Sequence, residues 1–153
     1  MKRIMVLCMV VCVSMAMAYG IRTEVIEAGS THTGDVKVFR GNVKIGEGAE
    51  VKGNIFIEEG DLFIGSEVNI TGSITIKKGN IFIKDEVDVS KPVTIGEGNL
   101  EMLEENVIKG HINCRGGNVT LGSENKIHGN VYARNLIQGK GNTITGKFIQ
   151  IKE

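Results

Sequence analysis

The sequence predicts an all-β fold: a single-domain parallel β-helix with about six coils of 19 residues and three short strands per coil. Glycines recur in phase every nineteen residues, apolar residues alternate within short runs, and helical apolar spacing is absent. Twenty-one glycines, one proline and few aromatic residues agree with a repetitive β fold. Right-handed coils are favoured because parallel β crossovers are overwhelmingly right-handed. A six-residue spacing through Ile45, Val51 and Ile57 leaves a left-handed coil as the alternative.

The first eighteen residues differ in composition from the rest of the chain. Lys2 and Arg3 precede an apolar run over 4–13, and Ala16-Met17-Ala18 follows it. This order is typical of a secretory signal peptide, and the run is shorter than the ~20 residues that span a bilayer. We expect cleavage after Ala18 and export to the periplasm or the exterior. The alternative is a membrane anchor through residues 4–18, which would be the chain's only contact with a membrane.

Charge and cysteine content argue against two further features. The 18 basic and 18 acidic side chains give no electrostatic footprint for nucleic acid, so no nucleic-acid partner is expected. Cleavage would remove Lys2 and Arg3 and no acidic residue, which leaves a mildly acidic mature chain. It would also remove Cys8 and Cys12. Cys114 would then stand alone, and no intrachain disulfide is expected.

The phase of the glycines defines the repeat domain, which we place at residues 34–153. The glycine spacing alternates between seven and twelve residues, Lys91-Pro92 fills one vacant slot, and a two-residue deletion after Ala133 shortens the last copy. Residues 19–33 are a lead-in, or a cap that folds over the first coil. The corner glycines are Gly34, Gly41, Gly53, Gly60, Gly72, Gly79, Gly98, Gly110, Gly117 and Gly129.

Five columns of apolar residues, nineteen apart, are predicted to face the interior. Strands this short are stable only when successive coils stack at ~4.8 Å and pair in parallel. Cys114 falls in one of these columns, where a thiol behaves as a small hydrophobe. The columns begin at Val36, Val38, Val43, Ile45 and Val51. The asparagines beside the corner glycines are expected to form a ladder between coils: Asn42, Asn80, Asn99, Asn118 and Asn135.

The repeated text resembles that of a known family. The segments are "VKGNIFI" at Val51, "ITGSITI" at Ile70, "IKGHINC" at Ile108 and "IHGNVYA" at Ile127. They resemble the bactofilins, bacterial polymer-forming cytoskeletal proteins with a short right-handed β-helix. The similarity spans residues 34 to about 151, and it implies stacking of coils end to end into filaments without nucleotide. Bactofilins generally act on the cytoplasmic side, whereas this N-terminus predicts export.

The sequence predicts no catalytic residue, no cofactor and no metal site, so an enzyme is not expected. His111 and His128 could come within reach of one metal or substrate, but a pair is too few ligands for a closed site, and no phosphate-loop motif occurs. We expect the acidic residues to form a solvated face, with none recurring at nineteen residues as a ligand ladder. The histidines are His32, His111 and His128, and the acidic clusters lie at 58–59, 84–88 and 104–105.

Four aromatic residues are predicted to face outward: Phe56, Phe63, Phe82 and Tyr132. Phe63 and Phe82 are nineteen apart and are expected to stack on adjacent coils, whereas Phe56 and Tyr132 are expected on another wall. Such residues either contact a partner or form a ladder that stabilises the wall. The contact interpretation leads to an alternative function, a secreted or periplasmic module that binds envelope polysaccharide or protein.

The segment "GKFIQIKE" continues the strand pattern almost to Glu153. Unprotected strand edges pair with other chains, and Lys152 and Glu153 offer little protection. We therefore expect a self-assembly interface formed by Phe148, Ile149 and Ile151. The sequence favours a structural, non-enzymatic protein whose main partner is itself, as dimers or filaments at the cell envelope.

Overall fold

A computed structural model describes residues 22–152, which contain eighteen strands and no helix. The predicted signal peptide lies outside this range. No helix long and apolar enough to cross a membrane occurs within it. The strands are β1 (Arg22–Ile26), β2 (Thr31–Thr33), β3 (Val36–Ile45), β4 (Glu50–Lys52), β5 (Ile55–Glu59), β6 (Leu62–Ile64), β7 (Asn69–Ile70), β8 (Ile74–Lys78), β9 (Ile81–Ile83), β10 (Asp88–Val89), β11 (Val93–Glu97), β12 (Leu100–Glu104), β13 (Val107–Ile108), β14 (Ile112–Ser123), β15 (Lys126–Ile127), β16 (Val131–Gln138), β17 (Thr143–Ile144) and β18 (Phe148–Gln150).

The strands stack into a parallel β-solenoid of about seven turns, which confirms the predicted fold and adds one turn. Face 1 contains β5, β8, β11, β18 and the first parts of β3, β14 and β16. Face 2 contains β1, β6, β9, β12 and the last parts of the same three long strands. Face 3 contains β2, β4, β7, β10, β13, β15 and β17. The long strands bend around the corner between faces 1 and 2.

The register confirms the five predicted inward columns. On face 3, Val51 pairs with Ile70, Ile70 with Val89, and Val89 with Ile108, and all four are fully buried. Each fully buried aliphatic side chain contributes roughly 1.5–3 kcal/mol. The deletion after Ala133 is visible as a register shift between β14 and β16, after which the stacking resumes.

A sixth inward column was missed by the sequence analysis. It changes from apolar to polar along the stack, from Ala49, Val68 and Val87 to Asn106 and Asn125, and all five are buried. The two asparagines remain buried because they bond to the backbone and to each other. Buried polar groups are tolerated when they are hydrogen-bonded.

The lead-in forms a coil of its own and does not fold across the stack. Strand β1 pairs in parallel with β3 over five residues, and β2 pairs with β4. Ile26 is buried in line with Ile45. Residues 22–33 therefore extend the solenoid as its first coil, held by the parallel pairing of β1 with β3 and of β2 with β4.

The corner between faces 1 and 2 needs glycine for two reasons. Gly60 has a φ of +148°, and a Cβ on it would collide with the carbonyl oxygen of Gly41 in the preceding coil. Beside it runs the expected polar ladder, in which Asp61 N–H donates to Asn42 Oδ1 (2.9 Å) and Asn80 N–H donates to Asp61 Oδ1 (2.7 Å). The ladder satisfies backbone donors that the bend withdraws from the sheet.

Candidate functional site

The C-terminal coil exposes the predicted assembly residues. Phe148 aligns with buried Val131 in an inward column, yet its side chain is 40% exposed because no later coil covers it in the described residues. Ile149 aligns with outward Tyr132 and is 38% exposed. Ile151 lies just beyond β18, is partly buried, and donates its N–H to the carbonyl oxygen of Ala133 at 2.9 Å. An apolar surface therefore forms this end of the solenoid.

This end is also basic. Residues 131–152 include Arg134, Lys140, Lys147 and Lys152 and no acidic residue. Lys147 stands at the corner next to β18, where its N–H donates to Asn130 Oδ1 (2.9 Å). A second molecule that docks on the apolar surface therefore approaches a coil with more basic than acidic side chains.

The N-terminal end has a different character. Glu24 aligns with Val43 and His32 with Val51, so polar residues occupy positions that hold buried aliphatic residues in the next coil. Glu24 lies 3.8 Å from Arg22. Inward-facing charges at a sheet edge oppose edge-to-edge pairing. The two ends are therefore not equivalent: the first coil is polar, and the last is apolar with more basic than acidic side chains.

The predicted stack of Phe63 and Phe82 is confirmed on face 2. The ring centroids are 5.1 Å apart and the planes differ by 8°. Because each ring covers a face of the other, the pair presents mainly ring edges to solvent. Sugars bind aromatic residues through the ring face, so this stack is a poorer platform for polysaccharide than two separate rings would be.

The other two aromatic residues lie on face 1. Phe56 aligns with Thr75, and Tyr132 aligns with Asn113, so they occupy the same outward column on different coils. Lys77 Nζ lies 5.6 Å from the Phe56 ring centroid, and Asn130 Nδ2 donates to the Tyr132 hydroxyl at 3.1 Å. The four residues of the predicted partner surface are thus divided between two faces and form no single site.

A shallow groove of about 290 Å³ runs beside the Phe63–Phe82 stack on face 2. Gly46 and Gly65 contribute to its lining, because neither has a side chain to fill the space beside the rings. Lys44 and Lys84 also line it. The groove was not predicted, although glycine at the position after Ile45 and Ile64 was a visible signal.

Among the described residues, the histidines and acidic residues form no ligand cluster, and several acidic side chains pair with a basic one, such as Glu58 with Lys77 and Asp88 with Lys109. His111 Nδ1 accepts the N–H of Asn130 at 2.8 Å and so takes part in a corner ladder. Within residues 22–152 no group of three His, Cys, Asp or Glu side chains is placed to hold a metal ion. One set of acidic residues does recur at nineteen residues, although it forms no ligand cluster of that kind. A stack of glutamates with positive φ, one per coil, runs along the corner between faces 2 and 3: Glu67, Glu86, Glu105 and Glu124.

Cys114 is buried in the predicted inward column, in line with Ile95 and Ala133. Its Sγ lies 3.1 Å from the carbonyl oxygen of Gly98. Burial raises the pKa of the thiol above its ordinary value of 9.0. The thiolate, which is the nucleophilic form, is therefore disfavoured at neutral pH.

Comparison of the chain with protein-family models, with characterised proteins and with solved structures yields no match. The class that the fold itself defines is a parallel β-solenoid with unlike ends.

Proposed function

We propose that this chain is a structural, bactofilin-like protein that self-assembles through its C-terminal coil, with a tail-to-tail dimer as the minimum product. The observation that carries the proposal is the difference between the two ends. Phe148 and Ile149 are exposed at one end, whereas Glu24 and His32 occupy inward positions at the other.

The backbone of the last coil supports the same proposal. Strand β18 ends the strand order of its sheet, so its outer edge has no neighbouring strand among the described residues. Such an edge pairs readily with another chain. A two-fold axis across the end would join two β18 strands and bury both Phe148 side chains. Complete burial of an aromatic or aliphatic side chain contributes roughly 1.5–3 kcal/mol.

The polar first coil favours a dimer over a filament that grows through both ends. Head-to-head contact would bring Glu24 and His32 of two copies together at the centre of the interface. A filament of this protein therefore needs either a rearranged first coil or a contact along the walls.

Sedimentation of the full-length chain tests the proposal. We expect wild type to dimerise at micromolar concentration and Phe148→Arg to remain monomeric at the same concentration, because the new guanidinium would be buried next to other basic side chains. Phe39→Arg is the matched control, since Phe39 is 71% exposed near the opposite end. A wild type that stays monomeric at high micromolar concentration would overturn the proposal. Electron microscopy of the same samples shows whether assembly proceeds to filaments.

The cell envelope is the proposed location, and its support is the composition of the first eighteen residues. We expect the protein from its native host to begin at Tyr19. An intact mass that retains residues 1–18 would contradict cleavage and favour the membrane anchor.

The groove beside Phe63 and Phe82 supports a second candidate function, a binding module for envelope polysaccharide or protein. Under this alternative the chain is monodisperse and co-sediments with peptidoglycan or with an envelope glycan, and Phe82→Ser abolishes the binding. Co-sedimentation that is unchanged by Phe82→Ser would exclude the groove as the site.

A further inference from the structure

Face 2 is the most apolar outer wall of the solenoid. Among the described residues, four of the seven large apolar side chains that are exposed project from this face. They are Val25 (52% exposed), Phe82 (36%), Leu103 (42%) and Ile137 (60%). Phe82 and Leu103 lie on adjacent coils beside Phe63, and a contiguous exposed apolar patch marks an interaction site.

Two outward columns give face 2 its shape. The aromatic column is formed by residues in direct register: Val25, Lys44, Phe63, Phe82, Glu101, Thr120 and Ile137. The glycine column lies beside it and contains, in each coil, the residue two positions after the member of the aromatic column. Its members are Glu27, Gly46, Gly65, Lys84, Leu103, Gly122 and Gly139. The glycine column therefore has two halves: Gly46 and Gly65 leave space on two coils, and Lys84 and Leu103 project from the next two coils.

We infer that face 2 binds face 2 of a second copy of this chain, with the two solenoid axes antiparallel. The two-fold axis runs along the strand direction, midway between the coils of Phe63 and Phe82. Each coil then faces its counterpart across this axis. Lys44 and Glu101 lie one coil outside the stack on opposite sides, so Lys44 of each copy faces Glu101 of the other.

The glycine column is complementary about the same axis. Leu103 lies opposite Gly46 of the second copy, and Lys84 lies opposite Gly65. The groove of about 290 Å³ lined by these two glycines has room for a leucine side chain and a lysine stem. Lys44, Lys84 and Glu101 take part in no ion pair that the described residues show, so their charges are available to a second copy.

The charges select this orientation over the other two-fold arrangement. With parallel axes, the aromatic column faces the glycine column of the same coil. Glu101 would then face Leu103, and Lys44 would face Gly46, so neither charge would meet an opposite one. Only the antiparallel arrangement gives two Lys44–Glu101 pairs per dimer.

The contact is small. Six coils at ~4.8 Å and a width of two to three residues give a flat footprint of roughly 300 Å² per copy. Standard interfaces bury about 800 Å² per partner. Single domains therefore associate weakly through face 2. Association through face 2 becomes stronger where copies are already joined through their C-terminal coils, because the first contact raises the effective concentration of the second. The face 2 contact can also form without the end contact.

Charge reversal tests the inference in the full-length chain carrying Phe148→Arg or Ile149→Arg, in which the proposed end contact is blocked. We expect sedimentation equilibrium to show a dimer at concentrations up to about 1 mM. Lys44→Glu alone and Glu101→Lys alone should each weaken it at least about tenfold, and the double reversal should restore it to within about threefold. Lys126→Glu on face 3 is the control and should have no effect.

Three results would overturn the inference: no dimer at about 1 mM, failure of the double reversal to restore it, or a response to Lys126→Glu equal to that of Lys44→Glu. A membrane is the competing occupant of an apolar wall with two lysines. Vesicles of phosphatidylglycerol and phosphatidylcholine distinguish it, because binding to them would weaken with Lys44→Glu and strengthen with Glu101→Lys. That pattern would also overturn the inference. Loss of the C-terminal end contact alone would not contradict the face 2 dimer.

Discussion

Asn125 holds Asn106 at two points inside the solenoid: its Oδ1 accepts both the backbone N–H and the side-chain amide of Asn106, each at 3.0 Å. Asn106 repeats the pattern toward the preceding coil, where its Oδ1 accepts the N–H of Val87 at 2.9 Å. Both side chains are fully buried. The ladder satisfies backbone donors at a bend where the sheet supplies no acceptor, in a place that water does not reach.

We expect Asn125→Val to lower the free energy of unfolding by roughly 2–4 kcal/mol, because two buried donors of Asn106 lose their acceptor. Chemical denaturation measures the loss. Asn99→Ala is the control: its Oδ1 accepts the N–H of Asn118, but at an exposed corner where water replaces the lost bond. Equal losses of unfolding free energy in the two variants would show that burial does not determine how much the asparagine ladder stabilises the protein.

Ile70→Asp should unfold the domain. Ile70 is fully buried in the face 3 column between Val51 and Val89, and the core offers no partner for a carboxylate. Asn69→Asp places the same carboxylate one residue earlier, on the exposed side of β7. Thermal unfolding followed by circular dichroism should separate the two variants by tens of degrees. An unchanged midpoint for Ile70→Asp would contradict the column assignment.

The columns could be predicted from the sequence because strand alternation and a constant period assign each residue to one side without knowledge of its contacts. For example, the position of Ile70 and Val89 within the repeat is enough to predict that both side chains face inward. The Asn106 ladder escaped prediction because asparagine is expected at corners on the outside, and its burial depends on hydrogen bonds that only the stacked coils provide. The inward positions of Glu24 and His32 were not predicted for a related reason. They follow from the pairing of β1 and β2 with the second coil, which polar residues do not indicate.

The candidate site was predictable in part. The stack of Phe63 and Phe82 follows from their nineteen-residue separation. The separation of Phe56 and Tyr132 onto another wall was also predictable, because these two residues flank different inward columns from Phe63 and Phe82. The groove is a three-dimensional consequence of Gly46 and Gly65 lying side by side next to the rings.

The glutamate stack predicts a stabilising substitution. Glu86 has a φ of +58°, in the left-handed region that side chains other than glycine adopt at a cost, and it stands one coil from Glu67 and Glu105. Gly48 takes the same position in an earlier coil with a φ of +67°. Glu86→Gly should therefore raise the free energy of unfolding by roughly 0.5–1 kcal/mol.

The matched control for this substitution is Lys126→Gly, at an exposed strand position without positive φ. It should destabilise the protein by roughly 0.5–1 kcal/mol, because glycine loses more backbone freedom on folding. Denaturant titration of the two variants should give changes of opposite sign. A loss of stability in both would mean that relief of strain at Glu86 is smaller than the entropic cost.

Cys114 gives the protein a defined response to alkaline pH. Burial raises the pKa of its thiol in the folded state above 9.0, so above that pH the unfolded state binds fewer protons than the folded state. The contribution of the thiol to stability is complete below pH 9 and declines as the pH rises through the folded pKa. Cys114→Ala lacks this decline, and the column already accepts alanine at Ala133.

We therefore expect the difference in unfolding midpoint between wild type and Cys114→Ala to shift against wild type between about pH 8 and about pH 11. The comparison cancels the titration of lysines and tyrosines, which both proteins share. A pH-independent difference would show that the thiol is accessible to solvent in the folded state. Peptide mapping after alkylation at neutral pH checks the same point, since Cys114 should react only when the protein is unfolded.

The direction of the salt effect on self-association distinguishes tail-to-tail from head-to-tail contact. Tail-to-tail contact brings two basic C-terminal coils together, each with Lys140 and Lys147 near the end. Raising the salt concentration from about 0.1 M to about 1 M shortens the screening length from ~10 Å to ~3 Å, so it should tighten this dimer several-fold. Head-to-tail contact would instead bring Lys147 next to the carboxylate of Asp35 in the next copy, and salt would weaken that attraction.

Lys147→Glu makes the same distinction without salt. It lowers the net positive charge of each C-terminal coil by two, so it reduces repulsion in a tail-to-tail dimer and should tighten it at low salt. Asp35 is the first residue of a corner column and Lys147 is the last. In a head-to-tail contact Lys147 would therefore lie next to Asp35 of the next copy, and Lys147→Glu would place two carboxylates side by side. Sedimentation in the Lys44→Glu background keeps the face 2 contact from contributing. Weakening by both salt and Lys147→Glu would reject the tail-to-tail arrangement and retain an assembly surface at Phe148.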